Sequence, residues 1–341
     1  MKRLVPLGLI LLLLAAAGTA GLWQQYQGFL QTPLNIKQAG LVVNVEPGTN
    51  IRSVVAKLEK QGATRLDWRW RLLSRLQQVI IKTGEYKLVP GLLPADLLNL
   101  LASGKVITYR FTIVEGWTVK QLLSALAKDP VLQHTLETMA ELENLAGLPT
   151  VYPEGWFLPE TYVFIRGDSD LQILQRAYKD MQAGLEMAWL GRDTGLPYET
   201  RDDLLVMASI VEKETSLENE RADIAGVFVR RLLKRWRLET DPTVIYGMGD
   251  SYQGNIRRGD LKKDTPYNTY TRHGLPPTPI ALPGLASLQA AAHPVPGEAM
   301  FFVANGQGGH TFSRTLDEHN KAVRQLIKRN KSKPVKQGKK E

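Results

Sequence analysis

Leu4 to Trp23, LVPLGLILLLLAAAGTAGLW, is a run of twenty residues without a charged side chain. As a helix it would be about 30 Å long, the thickness of a bilayer's hydrocarbon core. Nothing in water covers such a surface, so the segment directs the chain to a membrane. It is either a retained anchor or a signal sequence cut after Ala17 or Ala20, where small residues precede the bond. The run is longer than an ordinary signal core, which favours the anchor. Lys2 and Arg3 precede it and the next cation is Lys37. That asymmetry places the N-terminus in the cytoplasm, with everything after residue 24 outside the cytoplasmic (inner) membrane, as a single-pass protein. Trp23 and Tyr26 fall where an interfacial aromatic belt would lie. Nucleotide-dependent chemistry is disfavoured in that compartment, where free ATP and NAD are scarce.

The formal net charge of +9 suggests nucleic acid until it is located. Nine Lys or Arg against one acid lie within residues 321–341, and Lys2 and Arg3 lie at the other end, leaving residues 4–320 within one charge of neutral. A nucleic-acid-binding face spreads its cations over folded surface, so no nucleic-acid partner is expected. The tail KRNKSKPVKQGKKE reads as a disordered basic extension that touches anionic polymers or headgroups, or only solubilises the terminus. Cysteine is absent, which excludes disulfides, thiol catalysis and Cys-ligated metals.

Residues 24–40 show no sustained period and read as a linker. A pattern then occurs three times. VVNVEPGTNIRSVVAKLEK, GEYKLVPGLLPADLLNLLAS and YRFTIVEGWTVKQLLSALA each pass from a β-branched or aromatic strand, across a glycine turn, into an apolar helical period. The glycines Gly48, Gly91 and Gly116 are unevenly spaced, so a small α+β module fits better than a solenoid. Strand–helix units of this kind are similar to LysM-like glycan-binding folds, by analogy of fold alone. Further on, DDLLVMASIVEKET is apolar almost all round, the mark of a helix inside a core. The segment DTPYNTYTRHGLPPTPIALPG is long and irregular, as binding or lid elements are. The expected fold class is α+β. Its divisions are a cytoplasmic stub (1–3), a transmembrane anchor (4–23), a linker (24–40), a LysM-like module (41–128), a mixed α+β domain (129–325) and the tail (326–341).

Glu212 and Glu214 close the apolar helix. Two positions apart they stand about 200° around the axis, so they face opposite ways and form no dyad. Each borders apolar surface, which would raise a carboxyl's pKa and suit it to general acid work; the alternative is two solvated glutamates at a fraying end. Asp241-Pro242 reads as N-cap and first helical residue, a role that accounts for the pair without catalysis. Tyr267, Asn268 and Tyr270 present aromatic faces and polar groups suited to sugar rings, or form a polar turn packed by two tyrosines. His310 and His319 lack metal-ligand spacing, and Asn305–Gly309 lacks the Lys-Ser/Thr of a phosphate loop and reads as a hairpin turn. No cofactor and no metal are expected.

EGWFLPETY (Glu154–Tyr162), MASIVEKET (Met207–Thr215), TDPTVIYGMG (Thr240–Gly249), PYNTY with GLPP and PI (Pro266–Ile280), and GGHTFSRT with EHN (Gly308–Asn320) are specific together though not singly. With the N-terminal anchor they span essentially the whole chain, which resembles the endolytic murein transglycosylases, the YceG-like family. The resemblance implies a lyase that cuts the β-1,4 bond between N-acetylmuramic acid and N-acetylglucosamine inside peptidoglycan strands and leaves 1,6-anhydro ends. It implies Glu214, not Glu212, as the catalytic residue, in a catalytic domain that follows a LysM-like subdomain. Its other motif positions, Glu154, Glu160, Asp241, Tyr267, Asn268, Tyr270 and His310, become candidates for substrate binding. Glu160 stands where related sequences often have Asp. The resemblance also implies contact with peptidoglycan synthases that limits strand length. The rival reading is a non-catalytic scaffold that binds peptidoglycan for those synthases.

One carboxyl group suffices for such a lyase. Hydrolytic glycosidases need an acid and a second carboxylate to act as nucleophile or to activate water. Here the C6 hydroxyl of the muramic acid is the nucleophile, and its intramolecular placement supplies the effective concentration a second carboxylate would otherwise have to compensate for.

Overall fold

The computed structural model describes residues 4–136, 142 and 153–332. The stub 1–3, most of 137–152 and residues 333–341 of the tail lie outside the described residues. The chain divides into two compact units, Met1–Tyr109 with Val163–Asp168, and Arg110–Tyr162 with Ser169–Glu341.

In the first unit, α1 (Leu4–Gln31) carries the apolar run, and Leu9 to Leu14 are all exposed. The helix does not stop at residue 23. It continues to Gln31 and buries Tyr26 and Phe29, and the following Leu34 and Ile36 are buried too. Residues 24–40 are therefore packed rather than a free linker. The cause is aromatic: Phe29 meets Trp70 edge-on with centroids 5.2 Å apart, and Tyr26 lies 6.4 Å from Trp68. Those partners lie some forty residues downstream, beyond any local pattern.

All three strand–glycine–helix units are present. β1 (Leu41–Val45) leads to α2 (Ile51–Lys60), and α3 (Trp68–Gln77) precedes β2 (Gly84–Leu88), which leads to α4 (Pro94–Ser103). β3 (Thr108–Thr112) leads to α5 (Val119–Leu126). Gly48, Gly91 and Gly116 all have φ between 75° and 84°, the left-handed region a Cβ disfavours. β1 and β2 pair antiparallel with Val43 opposite Tyr86, and Val54, Val55, Leu58, Leu97, Leu98 and Leu101 pack into one core with them. The third unit, from Arg110 onward, falls in the second compact unit.

β4 (Thr161–Ile165), paired with β3, precedes α6 (Asp170–Gly191). The core of the second unit is built around α7 (Arg201–Glu214), where Leu204 to Val211 are all buried. At about 1.5–3 kcal/mol for each large apolar side chain fully removed from water, this helix is a principal stabilising element. A capping box starts it, with Thr200 Oγ1 accepting from Asp203 N and the Asp203 carboxylate accepting from Thr200 N; such a box satisfies two otherwise unpaired donors. α8 (Glu218–Leu233), α9 (Asp241–Met248) and α10 (Leu285–Ala292) follow, α8 and α10 packing against α7. β5 (Phe301–Ala304) and β6 (His310–Ser313) form an antiparallel hairpin across Asn305–Gly309, its turn tied by Asn305 Oδ1, which accepts from Gln307 N at 2.7 Å. α11 (Leu316–Ser332) runs past residue 326, so the tail begins as helix.

Candidate active site

α7 ends at Glu214 because Thr215 turns extended, with φ −148° and ψ 140°. Both glutamates of the E-x-E are thus held at the last turn of a rigid buried helix, and they part as the helical angle requires. Glu212 turns inward. Its Oε2 accepts from Gly284 N at 3.0 Å and Ser287 Oγ at 2.7 Å, and Arg221 lies 3.7 Å from Oε1. These bonds pin the start of α10, and neither glutamate is a solvated side chain at a fraying end.

Glu214 lines an open cleft of about 380 Å³ with Glu115, Gly116, Lys213, Thr215 and Ser216, and the Glu212–Arg221 pair borders the same cleft. Its Oε1 accepts from the buried hydroxyl of Thr240, and among the described residues its Oε2 accepts no hydrogen bond. Burial lifts the carboxyl to about 6, and the nearby Asp241 charge adds to the rise; the Thr240 hydroxyl, His310 and Arg231 pull the other way. A group so placed exists as both acid and base near neutrality, the condition for exchanging a proton twice in one cycle.

The remaining candidates divide by environment. Tyr270 donates to Asp241 Oδ1 at 2.7 Å, and both lie beside Glu214. His310 is held by Glu220, whose carboxylate accepts from the His310 backbone N at 2.9 Å and lies 2.7 Å from Nδ1. This pair lowers the Glu220 carboxyl and turns a partial positive field toward Glu214. Asp241 is the first residue of α9 rather than its cap. Thr240 holds the extended cap position, and its side chain goes to Glu214 instead of to the helix, so the expected capping role moves one residue upstream.

Asn268 is 1% exposed. Its Nδ2 donates to the carbonyls of Lys263, Leu261 and Asp260, and its Oδ1 accepts from Tyr270 N. Those bonds hold the loop in shape and leave the amide nothing for a sugar. Tyr267 bonds Thr278 and packs edge-on against Tyr246, with centroids 4.8 Å apart. Glu154 is buried too. It accepts from Val119 N at 2.9 Å and from Tyr246 at 3.1 Å, and burial raises it to about 7. Glu160 is exposed and accepts from Thr161 N.

Sequence reasoning missed Thr240, Glu220 and Arg231. Arg231 is a buried guanidinium that donates to the carbonyls of Met300 and Leu238, and no carboxylate among the described residues lies within ion-pair distance of it. A cation so placed favours the ionised form of Glu214.

The fold and the site define a class of protein with a carboxyl group of raised pKa at the end of a buried core helix, beside a polar cleft. The profile of the YceG-like family matches residues 43–325, and the chain belongs to that family. Among its relatives is the endolytic murein transglycosylase of Bacillus subtilis, 29% identical over 307 residues, covering 84% of each chain. The protein of the same name from Streptococcus pneumoniae is 24% identical over 93% of this chain, which spans 64% of that longer relative. A crystal structure of a YceG-like protein from Listeria monocytogenes superposes with a TM-score of 0.52 at 28% identity, over 84% of this chain and 99% of that one.

Proposed function

We propose that the protein is an endolytic peptidoglycan lytic transglycosylase in which Glu214 is the catalytic acid and base. The observation that carries this reading is the Glu214 carboxyl, raised to about 6 at the mouth of the cleft with one oxygen held and the other free. Protonated, Glu214 gives its proton to the glycosidic oxygen as the bond from that oxygen to C1 of N-acetylmuramic acid breaks, releasing the 4-hydroxyl of N-acetylglucosamine. The resulting carboxylate then takes the proton of the C6 hydroxyl as its oxygen closes onto C1, which forms the 1,6-anhydro ring and restores the acid. His310 and Arg231 stabilise the carboxylate between the two transfers, and Thr240 keeps its orientation.

In this reading α1 anchors the chain in the cytoplasmic membrane with its N-terminus inside, and β1–α2–α3–β2 acts as a LysM-like module that holds glycan. Asp241, Tyr270 and His310 line the sugar site, and peptidoglycan synthases supply the nascent strands. With α1 as a tether, cutting is confined to strands within reach of the membrane. Purified protein given isolated glycan strands should produce anhydromuramic ends by mass spectrometry, and Glu214→Gln should produce none. Reducing ends alone would make the protein a hydrolase. Full cleavage by the variant would leave the scaffold reading.

A further inference from the structure

α3 has two faces. Trp70 and Leu73 enter the core and Leu72 packs half-buried against it, whereas Trp68, Arg71, Arg75 and Leu76 recur at i, i+3, i+7 and i+8 on the exposed side. That side is apolar where a soluble helix would be polar: Trp68 is 40% exposed, Leu76 63%, and Ile80 just beyond the helix 85%. Arg52, Arg71 and Arg75 are exposed, and among the described residues none has a carboxylate within ion-pair distance. A pocket of about 250 Å³ opens between α2 and α3, with Arg52 and Arg71 among its walls and Trp68, Trp70 and Ser74 beside them. The only carboxylate in its lining, Asp67, is occupied by Arg69 at 2.5 Å.

The position of this face relative to α1 indicates what covers it. Trp23 stacks toward Tyr26 at 5.7 Å and Tyr26 toward Trp68 at 6.4 Å, so an aromatic chain links the end of the apolar run directly to the start of α3. Trp and Tyr favour the headgroup level of a bilayer. A basic amphipathic helix at that level binds an anionic lipid surface, each cation contributing about 1 kcal/mol.

We infer that α3 lies on the bilayer surface from which α1 emerges, with Trp68, Leu76 and Ile80 among the headgroups and the phosphate of an anionic phospholipid held between Arg52 and Arg71. The inference rests on α1 being a membrane anchor, and the test separates the two. The chain has no cysteine, so a single introduced cysteine carries a unique fluorophore. The full chain is reconstituted in nanodiscs of phosphatidylcholine with or without phosphatidylglycerol, labelled at Leu12→Cys or at Leu76→Cys, and quenched with spin-labelled lipid.

Both labels should be quenched, the Leu76 label more strongly in the anionic discs. Arg52→Gln with Arg71→Gln should abolish that difference while leaving the Leu12 label unchanged. In detergent, native mass spectrometry should show phosphatidylglycerol binding weakened about fivefold for each arginine removed. An unquenched Leu12 label would refute the anchor itself. A quenched Leu12 label with an unquenched Leu76 label, or one indifferent to lipid charge, would overturn the inference while the anchor stands. Displacement of the lipid by millimolar inorganic phosphate would also overturn it, reducing the pocket to a general anion site.

Discussion

Thr240→Val removes the hydroxyl that donates to Glu214 and keeps the branched shape of a buried side chain. In the wild type this bond opposes the effect of burial, which lifts the carboxyl to about 6. A hydrogen bond to an ionised group is worth about 1.5–3 kcal/mol, and one pKa unit is about 1.4 kcal/mol, so its loss should raise Glu214 by about 1–2 units. The sign follows from the mechanism. The free enzyme must hold the proton it will donate, so kcat/KM is high below the Glu214 pKa and falls as pH rises through it. In Thr240→Val that alkaline limb should move from near 6 to about 7–8. The variant's deficit at pH 5 should therefore shrink as pH rises. The assay is initial rate against pH at low substrate, by chromatography of anhydromuramic products from strands of uniform length. A limb that stays in place while activity drops at every pH would show that Thr240 orients the carboxyl without tuning it. A limb that moves down would refute the electrostatic account of the site.

Glu154→Gln tests the other raised acid. Glu154 is near 7 when folded and about 4.3 when unfolded, so the native state holds the extra proton; its contribution is full below the unfolded value and is lost as pH rises through the folded one. The amide oxygen can accept from Val119 N while its NH2 donates to the Tyr246 oxygen, as the protonated acid would. The substitution removes that slope, so relative to wild type the variant should gain about 3 kcal/mol between pH 4 and pH 8 in denaturant unfolding; parallel pH profiles would refute the assignment. Glu212→Gln should lower the thermal midpoint by loosening the start of α10 while leaving the alkaline limb of activity in place, whereas Glu214→Gln should abolish turnover with no loss of stability. A calorimeter and one pH profile separate those roles. Asn268→Ala leaves three loop carbonyls and Tyr270 N without their partner, at a cost of about 2–4 kcal/mol; hydrogen exchange over residues 260–272 should rise, and unchanged protection would refute the structural role.

Local pattern made much of this molecule legible. The three glycine turns, the core helix, the hairpin at Asn305–Gly309 and the long irregular stretch before α10 all follow from period and φ preference, which act within a few residues. The divergence of Glu212 and Glu214 followed from helical angle alone. Other features were set at a distance. Residues 24–40 read as a linker because their partners Trp68 and Trp70 lie outside any local window. Asn268 and Glu154 stood among the candidates for substrate binding because neither composition nor a shared motif reveals whether a polar group's hydrogen bonds are already taken.

What the sequence by itself determined, then, is the order and kind of elements, the nearly net-neutral body, the apolar N-terminal run and the helix face on which each glutamate stands. Only the tertiary structure decided the chemistry of Glu214. Its proton affinity is the balance of burial by the core against a hydroxyl 26 residues away and the more distant charges of Asp241, His310 and Arg231. A pKa is the sum of solvent lost and charges gained in three dimensions. Residues that distant in sequence contribute only after folding has brought them within a few ångströms.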